Sequence, residues 1–241
     1  MKIDLFLTNI SFNKTNLENK VVVVIDVLRS STSICAALKA NAKGVIPVPG
    51  PGEAGDLWAK LGGGNAILAG ERDGVKIDNF KLGNSPLEFT PETVGDKFVI
   101  MTTTNGTEPF VKAAKASAVL SCGLVNVSEV AQKINETDKD VIIICSGREG
   151  QFSIEDTLCG GLLENLLIKE FQRDLKLNDA GNLALLLYNN NKDIIRQTIE
   201  QSEHGRYLQS IGFAEDINLA CQINSIPVLP ILKDGRLVLQ K

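Results

Sequence analysis

The chain has 241 residues, of which 44% are hydrophobic and 22% are charged, and its net charge is −4 at pH 7. This composition is typical of a soluble globular protein with a sizeable core, and the negative charge argues against nucleic-acid binding as the main function. Five cysteines without paired spacing exclude a zinc ribbon or a redox dithiol and fit a reducing compartment. Because neither a signal peptide nor a long apolar run is present, we expect a cytoplasmic protein that does not enter a membrane.

Strands and helices alternate along most of the chain, which predicts an α/β fold with a mostly parallel or mixed sheet between layers of helices. Residues 3–7 are a weak candidate for an edge strand, whereas Val21–Ile25 is predicted to be a strand buried on both faces. A helix is expected over residues 30–40. Further strands are predicted at 44–48, 66–69, 98–101, 118–122 and 141–145, with helices at 51–61, 107–116, 128–134 and 154–171.

The remaining segments are less regular. Residues 74–97 are rich in Gly, Pro and Asn and are predicted to form a long ordered loop. The C-terminal part predicts helices at about 180–188, 194–200 and 213–221, followed by a hairpin of residues 226–232 and 237–239. We expect a single α/β domain over residues 1–241, or one that carries a C-terminal subdomain from about residue 178.

Two strand ends share one design, in which an apolar strand is followed by a hydroxyl-rich turn and then by a helix. The first turn holds Asp26, Arg29 and Ser30–Ser33, and the second holds Thr102–Thr107, where Gly106 permits positive φ and a close backbone approach. Either turn alone is explained by helix capping. Together, with arginines at neighbouring strand ends, they predict an anionic ligand with two or more charged ends. Its predicted contacts are Arg29, Ser30, Ser31, Thr32, Arg72, Asn84, Ser85, Thr103, Thr104, Asn105, Gly106, Thr107, Ser146 and Gly147.

Three carboxylates are expected at the same rim of the sheet: Asp26, Glu71 and Asp156. With water and phosphate oxygens they form a hard oxygen-ligand set suited to Mg²⁺, so we predict all three as metal ligands. Pairing of Glu71 with Arg72 is an equally good explanation of that residue. Asp26 is not explained in such a way, because it directly follows five residues expected to be buried. We predict Asp26 and Asp156 as catalytic residues, with Asp26 acting as nucleophile or as metal ligand.

Two other features carry less weight. Residues 50–55 match the pattern G-x-G-x-x-G, but Glu53 would place a negative charge beside a pyrophosphate. His204 is the only histidine, which excludes a two-histidine phosphatase. It either orients a ligand or, in the interpretation we prefer, is a surface turn residue beside Gly205.

Six segments resemble, in order, the 2-phosphosulfolactate phosphatase family, which comprises the coenzyme M biosynthetic phosphatase and its bacterial relatives. These segments are VIDVLRSSTS, AGERDG, FKLGNSPLEF, TTTNGT, CSGREGQFSIEDTLCGG and SEHGRYL, and they cover most of the chain from about Asp26 to Cys221. The resemblance implies an α/β phosphomonoesterase that depends on Mg²⁺ and converts 2-phospho-3-sulfolactate into 3-sulfolactate. Asp73 departs from the family pattern, where a small residue is expected, and would alter the charge of the pocket.

That substrate carries a phosphate, a carboxylate and a sulfonate. We expect the phosphate at Thr103–Thr107 beside the metal, and the sulfonate or carboxylate at Arg29, Ser30–Thr32 and Arg72. Two alternatives stay open: a non-catalytic module that binds phosphorylated or sulfonated acids, and a lyase or isomerase acting on a phosphorylated hydroxy acid. The partner is a small anionic molecule in each case, and base rates favour a homodimer as the assembly.

Overall fold

The structure is a computed structural model that describes residues 1–10, 12 and 15–240. Its centre is an 11-stranded sheet within these residues. The strands are β1 (Lys2–Phe6), β2 (Val21–Ile25), β3 (Gly44–Pro47), β4 (Ala66–Arg72), β5 (Val75–Lys76), β6 (Phe98–Thr102), β7 (Ala118–Cys122), β8 (Val141–Cys145), β9 (Lys176–Leu177), β10 (Pro230–Lys233) and β11 (Arg236–Leu239).

Helices follow most of the strands, so the predicted α/β fold class is confirmed. Short 3₁₀ turns lie at Pro86–Glu88, Ala113–Lys115 and Leu124–Asn126. The α-helices are α1 (Ser30–Lys39), α2 (Pro51–Lys60), α3 (Pro91–Val94), α4 (Glu108–Lys112), α5 (Val127–Asn135), α6 (Ile154–Lys169), α7 (Asp179–Asn191), α8 (Ile195–Glu200), α9 (Glu203–Ser210) and α10 (Ala214–Ala220).

The sheet consists of two parallel parts joined by the C-terminal hairpin. The strand order is β5-β4-β6-β3-β11-β10-β7-β2-β8-β1-β9. β4, β6 and β3 are parallel to one another, as are β7, β2, β8, β1 and β9, while β10 and β11 are antiparallel to each other and to the flanking strands β7 and β3. Because three antiparallel pairings separate them, β7 with β10, β10 with β11 and β11 with β3, the two parallel parts run in opposite directions. The turns after β2 and β8 in one part nevertheless meet the turns after β4 and β6 in the other.

The hydrophobic core lies on both faces of the sheet. In β2, Val21, Val23 and Ile25 pack in one core cluster with α5 and α6, while Val22 and Val24 pack in another with α1. This alternation follows from the two-residue period of a strand. Strand β2 is buried along its whole length, as its sequence predicted.

Three local predictions needed correction. Strand β1 is not an edge strand, because it pairs with both β8 and β9. Strand β4 continues through Arg72 and turns back into β5 at Asp73 and Gly74, whose φ angles of 51° and 76° suit a tight hairpin turn. The predicted long loop therefore begins with a strand. His204 lies on helix α9 and not in a turn.

The C-terminal hairpin is confirmed, and its place in the middle of the main sheet was not predicted. Whether the residues after about 178 form a subdomain stays a prediction. Among the described residues, no helix is long and apolar enough to cross a membrane.

Candidate functional site

A cleft opens at the carboxyl ends of β2, β4, β6 and β8, where α/β proteins commonly bind ligands. The turns after β2, β4, β6 and β8 contribute to it, and helix α9 covers one side. The lining residues are Asp26, Leu28, Arg29, Ser30, Glu71, Asp73, Gly74, Asn84, Thr104, Asn105, Arg148, Glu149, His204, Tyr207 and Leu208.

The turn after β2 is closed by Asp26. Its carboxylate Oδ1 accepts a hydrogen bond from the backbone N–H of Ser30 at 3.0 Å, and its carbonyl accepts one from the N–H of Ser31 at 2.8 Å. The N-cap residue of α1 is Arg29, which makes no capping hydrogen bond with its side chain. Asp26 therefore satisfies the first free N–H groups of the helix. Fewer donors remain there for an anion than the sequence predicted.

The hydroxyl groups of this turn are largely used inside the protein. Ser31 Oγ accepts from the N–H of Asp26 at 3.1 Å, and Thr32 Oγ1 donates to the carbonyl of Val27 at 2.8 Å. Ser31 and Thr32 are fully buried and do not line the cleft. Their assignment as substrate contacts is corrected accordingly. Ser30 does line the cleft.

Arg29 is held by partners within the fold. Its Nη1 lies 2.8 Å from Asp216 Oδ2 in an ion pair whose two side chains are each 2% exposed, and its Nη2 donates to the carbonyl of Gly74 at 2.7 Å. The guanidinium also lies 4.1 Å from the ring centre of Phe213. Ser85 donates to the other oxygen of Asp216 at 2.6 Å. Arg29 and Ser85 thus join the turn after β2 to helix α10, and much of the hydrogen-bonding capacity of Arg29 is already used.

The turn after β6 is fastened to β4 by Glu71. Glu71 Oε1 accepts from the N–H of Thr104 at 2.8 Å, while Oε2 accepts from Thr104 Oγ1 at 3.2 Å and from the N–H of Gly74 at 2.7 Å. Thr104 and Asn105 line the cleft. Glu71 therefore fixes the backbone of the turn after β6. This turn places the exposed residue Thr104, with its hydroxyl group, in the wall of the cleft.

The two hydroxyl-rich turns touch each other. Ser30 Oγ donates to Thr103 Oγ1 at 3.2 Å, and Thr103 Oγ1 also accepts from the N–H of Gly106 at 3.0 Å. A Cβ atom at Gly106 would collide with Asp26 Oδ2 and Ser30 Oγ, so the close approach predicted for this glycine is present, without a left-handed φ. Thr103 and Thr107 are buried and do not line the cleft.

Of the other predicted substrate contacts, Asn84 lines the cleft, whereas Arg72 and Ser146 do not. Asn84 lines the cleft, and its buried side-chain oxygen has no hydrogen-bond partner among the described residues. Arg72 does not line it, because its guanidinium donates to the carbonyl of Glu71 at 2.7 Å and to Thr102 Oγ1 at 3.0 Å. Ser146 is fully buried behind the cleft.

Asp156 lies behind the cleft and not in its wall. Its two carboxylate oxygens accept hydrogen bonds from the N–H of Val27 at 2.8 Å and of Gly147 at 3.0 Å, which joins the turns after β2 and β8. Burial raises the pKa of Asp156, and the nearby carboxylates of Asp26 and Glu155 raise it further. The structure thus gives Asp156 and Gly147 a positioning role rather than direct contact with a ligand.

Asp26 and Glu71 are both buried carboxylates that line the cleft, and Asp26 lies where the two hydroxyl-rich turns meet. Burial raises the pKa of Asp26 to about 6, and the charge of Glu71 adds to this rise. The hydrogen bond from Ser30 and the nearby His204 oppose the rise. A perturbed carboxyl group in a cleft is a common property of functional residues.

Helix α9 brings into the cleft two residues that were not predicted as site residues: Tyr207, and His204, which was interpreted from the sequence as a surface turn residue. His204 Nδ1 lies 2.9 Å from Glu155 Oε1. Arg148 lies 4.4 Å above the ring centre of Tyr207, whose hydroxyl donates to the carbonyl of Asp73 at 2.7 Å. The sequence did indicate that these two residues share a helix face, since His204 and Tyr207 are three residues apart and both belong to the segment SEHGRYL.

The chain is similar in sequence to proteins of one known family. Residues 6–235 match the family model described as 2-phosphosulpholactate phosphatase. The chain belongs to this family. Three curated relatives are named probable 2-phosphosulfolactate phosphatase. They come from Clostridium beijerinckii (35% identical, over 98% of this chain and 99% of the relative), Clostridium novyi (37%, 95% and 96%) and Caldanaerobacter subterraneus subsp. tengcongensis (39%, 93% and 92%).

Membership in the 2-phosphosulfolactate phosphatase family confirms the predicted family and the predicted enzyme class, a hydrolase of phosphoric monoesters. The six segments that carried the resemblance meet in space, and each places at least one residue in the wall of the cleft. The cleft is therefore the candidate active site of this phosphatase.

The residues of the cleft fit a metal ion only in part. Across residues 1–10, 12 and 15–240, no three His, Cys, Asp or Glu side chains are grouped closely enough to hold an ion together. Asp26, Glu71 and Asp156 each accept backbone hydrogen bonds. The predicted cage of three carboxylates is thus not formed. The donor chemistry suits Mg²⁺ held by one or two carboxylates, with water and substrate oxygens completing its shell.

Proposed function

We propose that this chain is a Mg²⁺-dependent phosphatase that hydrolyses 2-phospho-3-sulfolactate, or a similar phosphorylated hydroxy acid, to 3-sulfolactate and inorganic phosphate in the cytoplasm. The observation that carries the proposal is the buried Asp26 carboxylate in the wall of a cleft that also presents the Thr104 turn. Family membership supports the reaction class. Coenzyme M biosynthesis as the pathway and the homodimer stay predictions.

Charge balance in the cleft supports the need for a divalent cation. Arg29 is already paired with Asp216, so Arg148 is the arginine among the lining residues that is left to a substrate, together with the imidazole of His204. The carboxylates of the cleft would therefore repel a substrate with three anionic groups unless a cation neutralised part of the negative charge. The four acidic residues that line the cleft are Asp26, Glu71, Asp73 and Glu149.

Asp26 and Glu71 are the residues that would hold the ion, since both line the cleft. When bound, Mg²⁺ would neutralise charge on the phosphate and orient it for attack. The protein would contribute mainly positioning and charge stabilisation, which dominate phosphoryl transfer. Asn105 would bind phosphate oxygens through its side-chain amide N–H groups, and Thr104 would do so through its hydroxyl by exchanging its bond to Glu71 for one to the phosphate.

Arg148 is the residue we assign to the carboxylate or the sulfonate. Its side chain is 21% exposed, lines the cleft and lies over Tyr207, and its partners Glu149 and Glu203 are exposed and distant at 3.5 and 3.7 Å. Exposed ion pairs of this kind are weak, so Arg148 can exchange its partners for a substrate anion. The predicted anion contacts Arg29 and Arg72 have buried or backbone partners instead.

The test is release of inorganic phosphate from phosphorylated three-carbon acids with and without a sulfonate, measured with Mg²⁺ and after its removal by EDTA. We expect Mg²⁺-dependent release that is fastest with 2-phospho-3-sulfolactate. Activity only on substrates without a sulfonate would keep the enzyme class and change the substrate. Binding without release of phosphate would favour a binding module, and a phosphorylated product would favour a lyase or isomerase.

A further inference from the structure

His204 and Glu155 form a buried pair that the proposed function has not used. The ring nitrogen Nδ1 lies 2.9 Å from Glu155 Oε1. The Glu155 side chain is 2% exposed and the His204 side chain 17% exposed. Glu155 Oε2 has no hydrogen-bond partner among the described residues. The imidazole is therefore the hydrogen-bond partner that the structure gives this buried carboxylate.

The pair is not needed to begin helix α9. The helix is capped by Ser202, whose Oγ accepts from the N–H of Gly205 at 2.9 Å. Gly205 packs tightly on the carbonyl of Ile199, which independently fixes the start of α9. The start of α9 therefore does not depend on a histidine at position 204, whose described hydrogen bond is the one with Glu155.

The direction of the ring suits catalysis. Glu155 holds Nδ1, so Nε2 is the nitrogen left for the cleft, which His204 lines together with Asp26. A carboxylate that orients one imidazole nitrogen while the other faces the substrate is a common arrangement for acid–base catalysis. The charged groups around the ring are Glu155 on α6, Asp26 after β2, Arg148 and Glu149 after β8, and Glu203 on α9.

We propose that His204, oriented by Glu155, is the general acid that protonates the leaving oxygen of the phosphate ester. This inference rests on the proposed function. The bond between phosphorus and the ester oxygen breaks with its electron pair on that oxygen, which takes the proton from Nε2 and leaves as the alcohol. The attacking water adds its OH to phosphorus, and its other proton returns to His204 through solvent. The products are the hydroxy acid and hydrogen phosphate, so atoms and charge balance.

A general acid matters only when the leaving group is a poor one. A secondary alcohol such as that of sulfolactate leaves badly as an alkoxide, whereas 4-nitrophenolate leaves without a proton. The test compares kcat of wild type, His204→Gln and the control Glu170→Gln on 2-phospho-3-sulfolactate and on 4-nitrophenyl phosphate. Glu170 is an exposed residue at the end of α6, the helix that carries Glu155, and it does not line the cleft.

We expect His204→Gln to lower kcat about 10²- to 10⁴-fold on the alkyl ester and less than about tenfold on the aryl ester. Glu170→Gln should match wild type on both. A smaller loss with the same preference is expected for Glu155→Gln, which keeps an acceptor for the ring, and this variant replaces His204→Gln if the latter does not fold. Equal losses on the two esters, or no loss, would overturn the role of His204 alone. A wild-type chain that releases phosphate from neither ester would overturn the proposed function as well.

Discussion

The turn after β2 uses its hydroxyl groups inside the protein, whereas the turn after β6 directs part of its polar surface into the cleft. In the first turn, Ser31 and Thr32 bond to the backbone of their own loop and are fully buried. In the second, Thr104 is exposed and its N–H and hydroxyl are held by Glu71. Two segments of similar composition therefore have different functions.

The difference follows from what each turn is packed against. Helix α1 after the first turn has ten residues and is buried along nearly its whole length, so every hydroxyl at its start must find an internal partner. Helix α4 after the second turn has five residues, and the turn before it places Thr104 and Asn105 in the wall of the cleft. A run of Ser and Thr therefore predicts a turn, while burial decides whether its hydroxyls can reach a ligand.

Replacing Asp26 by Asn should have the largest effect, because Asp26 is the one group of the first turn that we place in the chemistry. The amide oxygen of Asn can still accept from Ser30, so the fold should persist, while phosphate release should fall at least about 100-fold. Asp56→Asn on the exposed face of α2 is the matched control. Near-normal turnover of Asp26→Asn would show that the first turn is wholly structural.

The ion pair of Arg29 with Asp216 should be the largest contributor to stability in the first turn. Asp216→Asn leaves a buried guanidinium without its counter-charge, which should lower the free energy of unfolding by about 3–5 kcal/mol. Urea denaturation measures this. The exposed pair of Arg173 with Asp138 is the control, since Asp138→Asn should cost less than about 1 kcal/mol. Similar costs for the two variants would contradict the structural role of Arg29.

The sequence predicted the regular elements well, because hydrophobic periodicity and helix-start signals are local. It also placed Asp26, Glu71 and Thr104 at one rim, and all three line the cleft, although the strands that carry them belong to parts of the sheet that run in opposite directions. It could not predict that the C-terminal hairpin joins the two halves of the sheet, since strand order is a long-range property.

The hydrogen-bond and ion-pair partners of individual side chains could not be predicted from the sequence either. Arg29 seemed available to an anion until the structure showed Asp216, which is 187 residues away in the chain. The pairing of His204 with Glu155 spans 49 residues, and nothing in the local sequence indicates it. Charge and residue type can be read locally, but whether a group is already paired depends on the fold.

The raised pKa of Asp26 predicts how stability depends on pH in the metal-free protein. A carboxyl whose pKa is about 6 when folded and 3.8 when unfolded binds more protons in the folded state, so stability falls as pH rises through this range. The Asp26→Asn variant lacks this loss and should be more stable than wild type at pH 7 by up to about 3 kcal/mol, with little difference at pH 3. Thermal melts in EDTA at both pH values measure it. An equally large difference at both values would point to a cause other than ionisation of Asp26.

The smallest effects should separate the two turns most directly, through a matched pair of Thr→Val variants. Thr32→Val removes a buried hydrogen bond to Val27 and should lower the free energy of unfolding by about 1 kcal/mol while leaving KM unchanged. Thr104→Val removes an exposed hydroxyl at the cleft, so KM for the phosphate ester should rise about 5- to 30-fold with little change in stability. Urea denaturation and steady-state kinetics on both variants give the four values. If Thr32→Val raised KM while Thr104→Val affected only stability, the roles assigned to the two turns would have to be exchanged, because each hydroxyl acts only on the groups it touches.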